Sequence, residues 1–185
     1  LAFDHRGNLY VTETFSIDPA SGNFGPGGIW RIPKRGPAEL WLRDDLLTGL
    51  PPVLFPFPVG ANGIAFHHGA LYVINTDKAL VVRVAVLPDG SPGQPEVWKA
   101  VEDVPESFLY GVPSFPVMAD GLALDVHGNV YVAVVSRSAI VCIDANDRSQ
   151  TTIAVWPDTP LDTPASLAFG TGKGELQNLF VTNLG

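Results

Sequence analysis

The chain has 185 residues, of which 46% are hydrophobic and 16% are charged, and this balance is typical of a globular domain with a sizeable core. Its formal net charge of −8 argues against a nucleic-acid partner, which requires a basic surface. No apolar stretch is long enough to cross a membrane as a helix, and the one cysteine, Cys142, allows no internal disulfide. We therefore expect a soluble protein, of which the sequence indicates neither the compartment nor the oligomeric state.

Four segments of the sequence are similar to one another, and each predicts two short strands joined by a turn. Each has an apolar run, a turn rich in glycine, asparagine or histidine, and a second apolar run that carries tyrosine or phenylalanine. The segments are LAFDHRGNLYVTET at 1–14, NGIAFHHGALYVINT at 62–76, DGLALDVHGNVYVAVV at 120–135 and ASLAFGTGKGELQNLFVTN at 165–183. A strand-rich repeat with a period of about 40–50 residues is typical of a propeller blade.

Two further strands are predicted after each of the first three pairs. They are GIWRIPKR (28–35) and AELWLRDD (38–45), then LVVRVAVLP (80–88) and PEVWKAVE (95–102), then AIVCIDAN (139–146) and TTIAVWP (151–157). Insertions rich in proline and glycine, at 16–28, 47–60 and 106–118, lengthen the first two repeats, and no long stretch has helical periodicity.

The fold predicted from these strands is an all-β propeller that forms a single domain over residues 1–185. It comprises about three and a half four-stranded blades, with approximate limits 1–60, 61–118, 119–164 and 165–185. Leu1 falls within an innermost strand, and Gly185 follows the second strand of the last repeat. We therefore expect the chain to be part of a larger ring that lacks its N-terminal residues, either as a fragment or as a truncated gene product.

At these repeats the sequence resembles the senescence marker protein/gluconolactonase/luciferin-regenerating enzyme family of six-bladed propellers. The residues that carry the resemblance are ANGIAFHHGALYVINT, ADGLALDVHGNVYVAV and PASLAFGTGKGELQNLFVTN, in that order. NHL-type and strictosidine-synthase-like propellers share the alternation of strand, turn and strand. The ordered set, with Asn-Gly at the head of one repeat and Asp-Gly at the head of the next, is much narrower.

The resemblance implies one divalent cation at the top of the central channel, calcium in the first place, with Mg²⁺, Mn²⁺ or Zn²⁺ as alternatives. By motif position it implies Asn62 and Asp120 as metal ligands, and it places a third ligand, a glutamate, upstream of Leu1. Amide and carboxylate oxygens suit hard cations, and a cation would explain a carboxylate directly before the apolar run 122–124. The alternative is that both are turn residues that bond their own backbones.

The activity implied by the resemblance is that of a metal-dependent lactonase-like hydrolase that opens a small, oxygenated, sugar-type lactone. The cation would polarise the carbonyl and lower the pKa of a bound water, and Asp120 would act as catalytic general base. Candidates for contacts with substrate hydroxyls lie where the second strands end: Glu13, Asn75 and Asp77. The alternatives are solvated residues at strand ends, a non-catalytic ligand-binding or scaffold propeller, and an inactive fragment.

Other residues with reactive side chains have simpler interpretations. Four histidines are predicted in the turns after first strands, away from Asn62 and Asp120, and lack the spacing of a zinc site: His5, His67, His68 and His127. The segment GTGKGE (170–175) lacks the full spacing of a phosphate-binding loop and predicts a lengthened turn. Cys142 lies in an apolar third strand, so we expect a core residue rather than a nucleophile.

Overall fold

The computed structural model describes residues 1–52, 55–104 and 116–184, and most of the predicted insertion at 106–118 lies outside these ranges. Within them the chain forms sixteen β-strands and two short 3-10 turns, so the prediction of an all-β fold is confirmed. The strand pairings are antiparallel, as predicted. None of the described helical segments is long and apolar enough to cross a membrane. The residues fall into two compact units, Leu1–Ala100 and Val101–Gly185.

The first sheet of the N-terminal unit contains four antiparallel strands. They are β1 (Ala2–Phe3), β2 (Leu9–Glu13), β5 (Gly28–Ile32) and β6 (Glu39–Arg43), and they pair in the order β1-β2-β5-β6. A small hairpin of β3 (Ser16–Ile17) and β4 (Phe24–Gly25) fills the predicted insertion between β2 and β5. A 3-10 turn, Asp45–Leu47, follows β6.

The second sheet of this unit has the same meander connectivity. Its strands are β7 (Ala61–His67), β8 (Ala70–Asn75), β9 (Leu80–Ala85) and β10 (Glu96–Ala100), and each pairs with the next in sequence. Every residue of β8 is buried, as expected of a strand covered on both faces. The core shared by the two sheets includes Tyr10, Ile29, Leu47, Leu71 and Val73.

The C-terminal unit contains a four-stranded and a two-stranded sheet. The first has β11 (Leu122–Leu124), β12 (Val130–Val134), β13 (Ala139–Ile143) and β14 (Gln150–Val155), with a 3-10 turn at Val135–Arg137; the second has β15 (Pro164–Phe169) and β16 (Leu179–Asn183). Residues 170–178 form the predicted turn between β15 and β16. Ala123, Ala133, Ile140, Leu161 and Leu167 form the core of this unit. The number of blades and the closed ring stay predictions.

One turn, of the pattern Asp-x-x-Gly-Asn-x-Tyr, occurs at 4–10 and again at 125–131. In the second copy Asp125 Oδ1 accepts hydrogen bonds from the backbone N–H groups of His127 and Asn129, at 2.9 and 3.0 Å, and Oδ2 accepts one from Asn129 Nδ2 at 2.8 Å. In the first copy Asp4 accepts the equivalent hydrogen bonds from the Arg6 N–H, the Asn8 N–H and Asn8 Nδ2. Each aspartate therefore closes the turn between the first two strands of its sheet.

Candidate functional site

Asn62 lies at the start of β7, where the pairing with β8 is irregular. The register shifts between Ala61 and Ile64, so the strand bulges at Asn62 and Gly63. Bulges turn a side chain out of its regular alternation and are common next to active sites. The side chain of Asn62 is half-buried, and its direction is set by this local departure from regular strand geometry.

Two threonines hold Asn62 in place. Thr12 Oγ1 donates to the backbone oxygen of Asn62 at 2.6 Å, and Asn62 Nδ2 donates to Thr76 Oγ1 at 3.2 Å. Because the amide nitrogen is engaged, Oδ1 is the remaining polar atom of the side chain, and it is the atom that a hard cation prefers. Neither threonine was predicted from the sequence. Each threonine follows the apolar run of a second strand, Thr12 in VTE (11–13) and Thr76 in NTD (75–77). This recurrence could have indicated both residues.

Asp120 lies just before β11 and is fixed by backbone hydrogen bonds. Its N–H donates to the Ala133 carbonyl at 2.9 Å, and the Ala133 N–H donates to the Gly121 carbonyl at 2.9 Å. These bonds continue the pairing of β11 with β12 beyond Leu122. These backbone hydrogen bonds hold the half-buried Asp120 at the start of its strand.

Gly121 follows Asp120 because the neighbouring strand passes too close for a side chain. A Cβ atom at this position would lie 2.4 Å from the Ala165 carbonyl oxygen and 2.8 Å from Ser166 Cα, both in β15. This close approach explains why residue 121 is a glycine. The close approach packs the Asp120-Gly121 pair directly against β15.

The residues before Asp120 are tied to the 3-10 turn after β12. The Met118 N–H donates to the buried Ser136 Oγ at 2.8 Å, and Met118 is itself buried. The neighbouring Arg137 donates from Nε to Asp103 Oδ1 at 2.7 Å, and this hydrogen bond lowers the pKa of the Asp103 carboxyl. The chain therefore reaches Asp120 along a path fixed by buried polar contacts, which sequence patterns do not indicate.

Asn75, predicted to contact substrate, is fully buried and has a structural role. Its Nδ2 donates to the carbonyls of Leu46 and Thr48, both at 2.9 Å, and its Oδ1 accepts from the Lys78 N–H at 3.1 Å. Both polar atoms of the amide are therefore used to hold the turn after β6 and the end of β8. This placement does not support a contact with substrate.

Glu13 and Asp77, the other two predicted substrate contacts, also have protein partners. Glu13 Oε2 lies 2.8 Å from Arg43 Nη2, in an ion pair of which both side chains are about 30% exposed. Asp77 Oδ2 accepts from the backbone N–H groups of Leu50 and Val59, at 3.0 and 2.8 Å. Both carboxylates remain at the end of the unit where Asn62 lies, and their contact with substrate stays a prediction.

The histidines lie in or beside the turns after first strands, whereas the proposed ligands lie where such strands start. His5 and His127 lie in the turns before β2 and β12, and His67 ends β7 next to His68. Among the residues that the structure describes, no group of three or more His, Cys, Asp or Glu is arranged to hold a metal. Each proposed ligand, taken by itself, offers a donor that a hard cation prefers: Asn62 an amide oxygen and Asp120 a carboxylate oxygen.

Cys142 lies on β13 beside Tyr131 of β12, and the two are paired in register. Burial raises the pKa of the half-buried Cys142 thiol, which keeps it protonated and weakens it as a nucleophile. Burial, reinforced by Cys142 and Asp125, raises the pKa of Tyr131 to about 12. The prediction of a core residue therefore holds only in part, because Cys142 lies within a packed strand but is half-buried.

Comparison with known proteins identifies the family. Residues 58–185 match the family model described as the SMP-30/Gluconolactonase/LRE-like region. Solved structures with a similar fold include a gluconolactonase from Xanthomonas campestris (TM-score 0.66, 18% identity, 98% of this chain and 52% of that one). A luciferin-regenerating enzyme has a TM-score of 0.61 at 19% identity, over 98% of this chain and 52% of that one.

Regucalcin from Agrobacterium tumefaciens, a calcium-binding protein, has a TM-score of 0.57 at 19% identity, over 91% of this chain and 47% of that one. At these identities the likeness shows the fold, and the chain spans about half the length of the solved structures that it matches. A comparison with curated protein sequences finds no match. Because the family model covers well over half of the sequence, the chain belongs to the SMP-30/gluconolactonase/LRE-like family.

Proposed function

We propose that the complete protein is a lactonase-like hydrolase that depends on a divalent cation, with Asp120 as ligand and general base and Asn62 as a further ligand. Family membership supports the reaction class. The observation that carries the assignment is positional: each residue lies at the start of the first strand of a four-stranded antiparallel sheet and is followed by glycine. Calcium is the expected ion, because both donors are hard oxygens.

The chemistry assigned to the chain itself is proton transfer and positioning. A bound cation supplies charge that polarises the lactone carbonyl and makes water more acidic. The Asp120 carboxylate takes a proton from the water that attacks the carbonyl carbon, and it returns that proton to the ring oxygen as the ring C–O bond breaks. The backbone hydrogen bonds between Asp120 and β12 keep it oriented for these transfers. Asn62 Oδ1, oriented by Thr76, contributes a neutral oxygen ligand. Small lactones, including sugar-type ones, are the first substrates to test.

A non-catalytic cation-binding propeller is the second candidate, and one observation favours it. Asn75, expected to contact substrate hydroxyls, is buried in structural hydrogen bonds, which leaves fewer groups for recognising a substrate. The two candidates differ in turnover alone, since both bind the ion. An assay for lactone hydrolysis in the presence and absence of calcium therefore separates them.

The test of the proposal is the Asp120→Ala variant of the full-length protein. We expect it to lose tight calcium binding in calorimetric titration and to lose lactone hydrolysis, because one carboxylate has both roles. The matched control is Asp147→Ala, an exposed aspartate in the turn between β13 and β14, which should change neither quantity. Undiminished hydrolysis by folded Asp120→Ala protein would refute the mechanism, and calcium binding without any hydrolysis in the parent protein would favour the second candidate.

A further inference from the structure

Four phenylalanine rings lie together on the N-terminal unit and form what we call the phenylalanine cluster: Phe15, Phe24, Phe55 and Phe57. The Phe15 ring centroid lies 5.1 Å from that of Phe24 and 5.3 Å from that of Phe57, and the Phe55 and Phe57 centroids are 5.9 Å apart. The rings come from two separate proline- and glycine-rich segments, which the sequence predicts only as insertions. Their mutual contacts hold them in one defined surface.

The cluster is exposed to an extent that is unusual for packed aromatic residues. Phe24, Phe55 and Phe57 keep 43%, 43% and 36% of their surface accessible, and Ile17, which pairs with Phe24 in the β3–β4 hairpin, keeps 56%. A single exposed apolar side chain is common, whereas a contiguous group of them marks a binding surface.

The cluster lies beside the proposed ligand Asn62. Thr12 donates to the Asn62 carbonyl at 2.6 Å, and a Cβ atom on Gly60 would lie 2.9 Å from the Thr14 carbonyl oxygen. The backbone that carries Phe15 therefore runs directly beside the segment that leads into Asn62. Contacts within this one unit thus place the rings at the end of the sheets where the ligand lies.

The polar groups at this end are already used by the protein. Glu13 is paired with Arg43, which also donates to the Pro26 carbonyl, and Asp77 accepts two backbone N–H groups. A polyhydroxylated substrate needs hydrogen-bond partners for each hydroxyl group, and buried hydroxyls without partners are costly. An aryl or alkyl group needs only an apolar surface, which the phenylalanine cluster provides.

We propose that the phenylalanine cluster binds the apolar substituent of the substrate, so that the enzyme prefers lactones with an aryl or alkyl group to polyhydroxylated sugar lactones. This inference rests on the proposed function, since the substrate is a lactone only if the protein is a lactonase. The cluster determines which lactone is bound, and the proposed ligand Asn62 lies at the same end of this unit.

The experiment separates binding from hydrolysis by using a phenyl-substituted lactam, which has the ring shape of the lactone but no ester bond. In the full-length protein, Phe24→Ala and Phe57→Ala should each raise the lactam dissociation constant about three- to tenfold. The same variants should raise KM for phenyl-substituted butyrolactone in parallel and leave kinetics with gluconolactone within about twofold. Phe180→Ala, a phenylalanine in β16 that is 52% exposed, is the matched control and should change none of these.

The outcomes distinguish this inference from the proposed function. Unchanged lactam affinity in both variants would overturn the inference, even if the protein hydrolyses lactones. If the variants bind the lactam more weakly but the parent protein hydrolyses no lactone, the proposed function would be refuted. The phenylalanine cluster would still be supported as an apolar binding surface. The inference would also be overturned if the variants lost activity equally with gluconolactone and with phenyl-substituted butyrolactone. It would likewise be overturned if the substitutions changed only the self-association of the protein. If Phe57→Ala fails to fold, Phe24→Ala, in a peripheral two-stranded hairpin, carries the test.

Discussion

Asn62 and Asn75 are the same residue type at one end of the same pair of strands, yet their surroundings give them different roles. Asn62 is half-buried and gives one side-chain hydrogen bond, to Thr76, so its oxygen can bind a ligand. Asn75 is fully buried, and three backbone groups use both of its polar atoms. Residue type and position at a strand end predicted both as functional, whereas the number of protein partners separates them.

This difference predicts opposite effects of the two alanine substitutions: one should lower stability, and the other should weaken calcium binding. Asn75→Ala leaves two carbonyls and one N–H group without their partner, and we expect it to lower the free energy of unfolding by about 2–4 kcal/mol. Calcium affinity and turnover of the folded protein should stay unchanged. Asn62→Ala should weaken calcium binding, retain some activity at saturating calcium, and cost under about 1 kcal/mol of stability.

Urea unfolding, calcium titration and a lactonase assay on both variants measure these quantities. The opposite result for Asn75→Ala, with stability kept and turnover lost, would restore it as a substrate contact. A loss of stability in Asn62→Ala as large as that in Asn75→Ala would show that Asn62 has a structural role.

At the scale of elements, the repeated aspartate turn gives the fold a dependence on pH. Burial alone would raise the pKa of Asp125, but hydrogen bonds from the Asn129 side chain, the Asn129 backbone and the His127 backbone outweigh it and lower the pKa below the ordinary 3.8. Because the folded-state pKa is the lower one, the turn stabilises the fold fully above about pH 4. That contribution is lost as the pH falls below 3.8 toward the folded-state value.

Asp125→Ala should therefore destabilise the protein by about 1–3 kcal/mol at pH 7, where the carboxylate accepts three hydrogen bonds. The difference in unfolding free energy between the variant and the parent should stay constant between about pH 5 and pH 4 and shrink as the pH falls below 3.8. Urea unfolding at a series of pH values measures this, with Asp158→Ala, an exposed aspartate between β14 and β15, as the control. A difference that stays constant across this range would show that the turn does not depend on the charge of Asp125.

The strands could be predicted from local sequence because alternation and turn residues are local signals. Their ends were less accurate, and the reasons are physical. The predicted strand 28–35 ends at Ile32, before a proline that has no N–H group for the ladder, and the predicted strand 151–157 ends at Val155, before Trp156-Pro157. The β3–β4 hairpin was not predicted within the insertion 16–28, because strands of two residues are too short to have a periodicity.

At the scale of the whole molecule, the family could be recognised from ordered motifs, whereas the supports of the candidate site could not. The contact of Thr12 with Asn62 joins residues fifty positions apart, and the approach of Ala165 to Gly121 depends on how two sheets pack. Such contacts come from tertiary structure and leave no local pattern. The phenylalanine cluster is a further example, since its four rings come together only after two insertions fold against each other.

The last prediction concerns how much of the propeller the activity requires. The chain spans 52% of the gluconolactonase that it matches. From the family resemblance we propose that a third ligand, a glutamate, lies outside residues 1–185. Two oxygen ligands hold calcium loosely, because the ion takes six to eight. We therefore expect the 185-residue chain alone to bind calcium at least about a hundredfold more weakly than the full-length protein, and to hydrolyse no lactone. Calorimetry and a lactonase assay on both proteins decide this. If the 185-residue chain hydrolyses a lactone and its Asp120→Ala variant does not, these residues are sufficient for the activity.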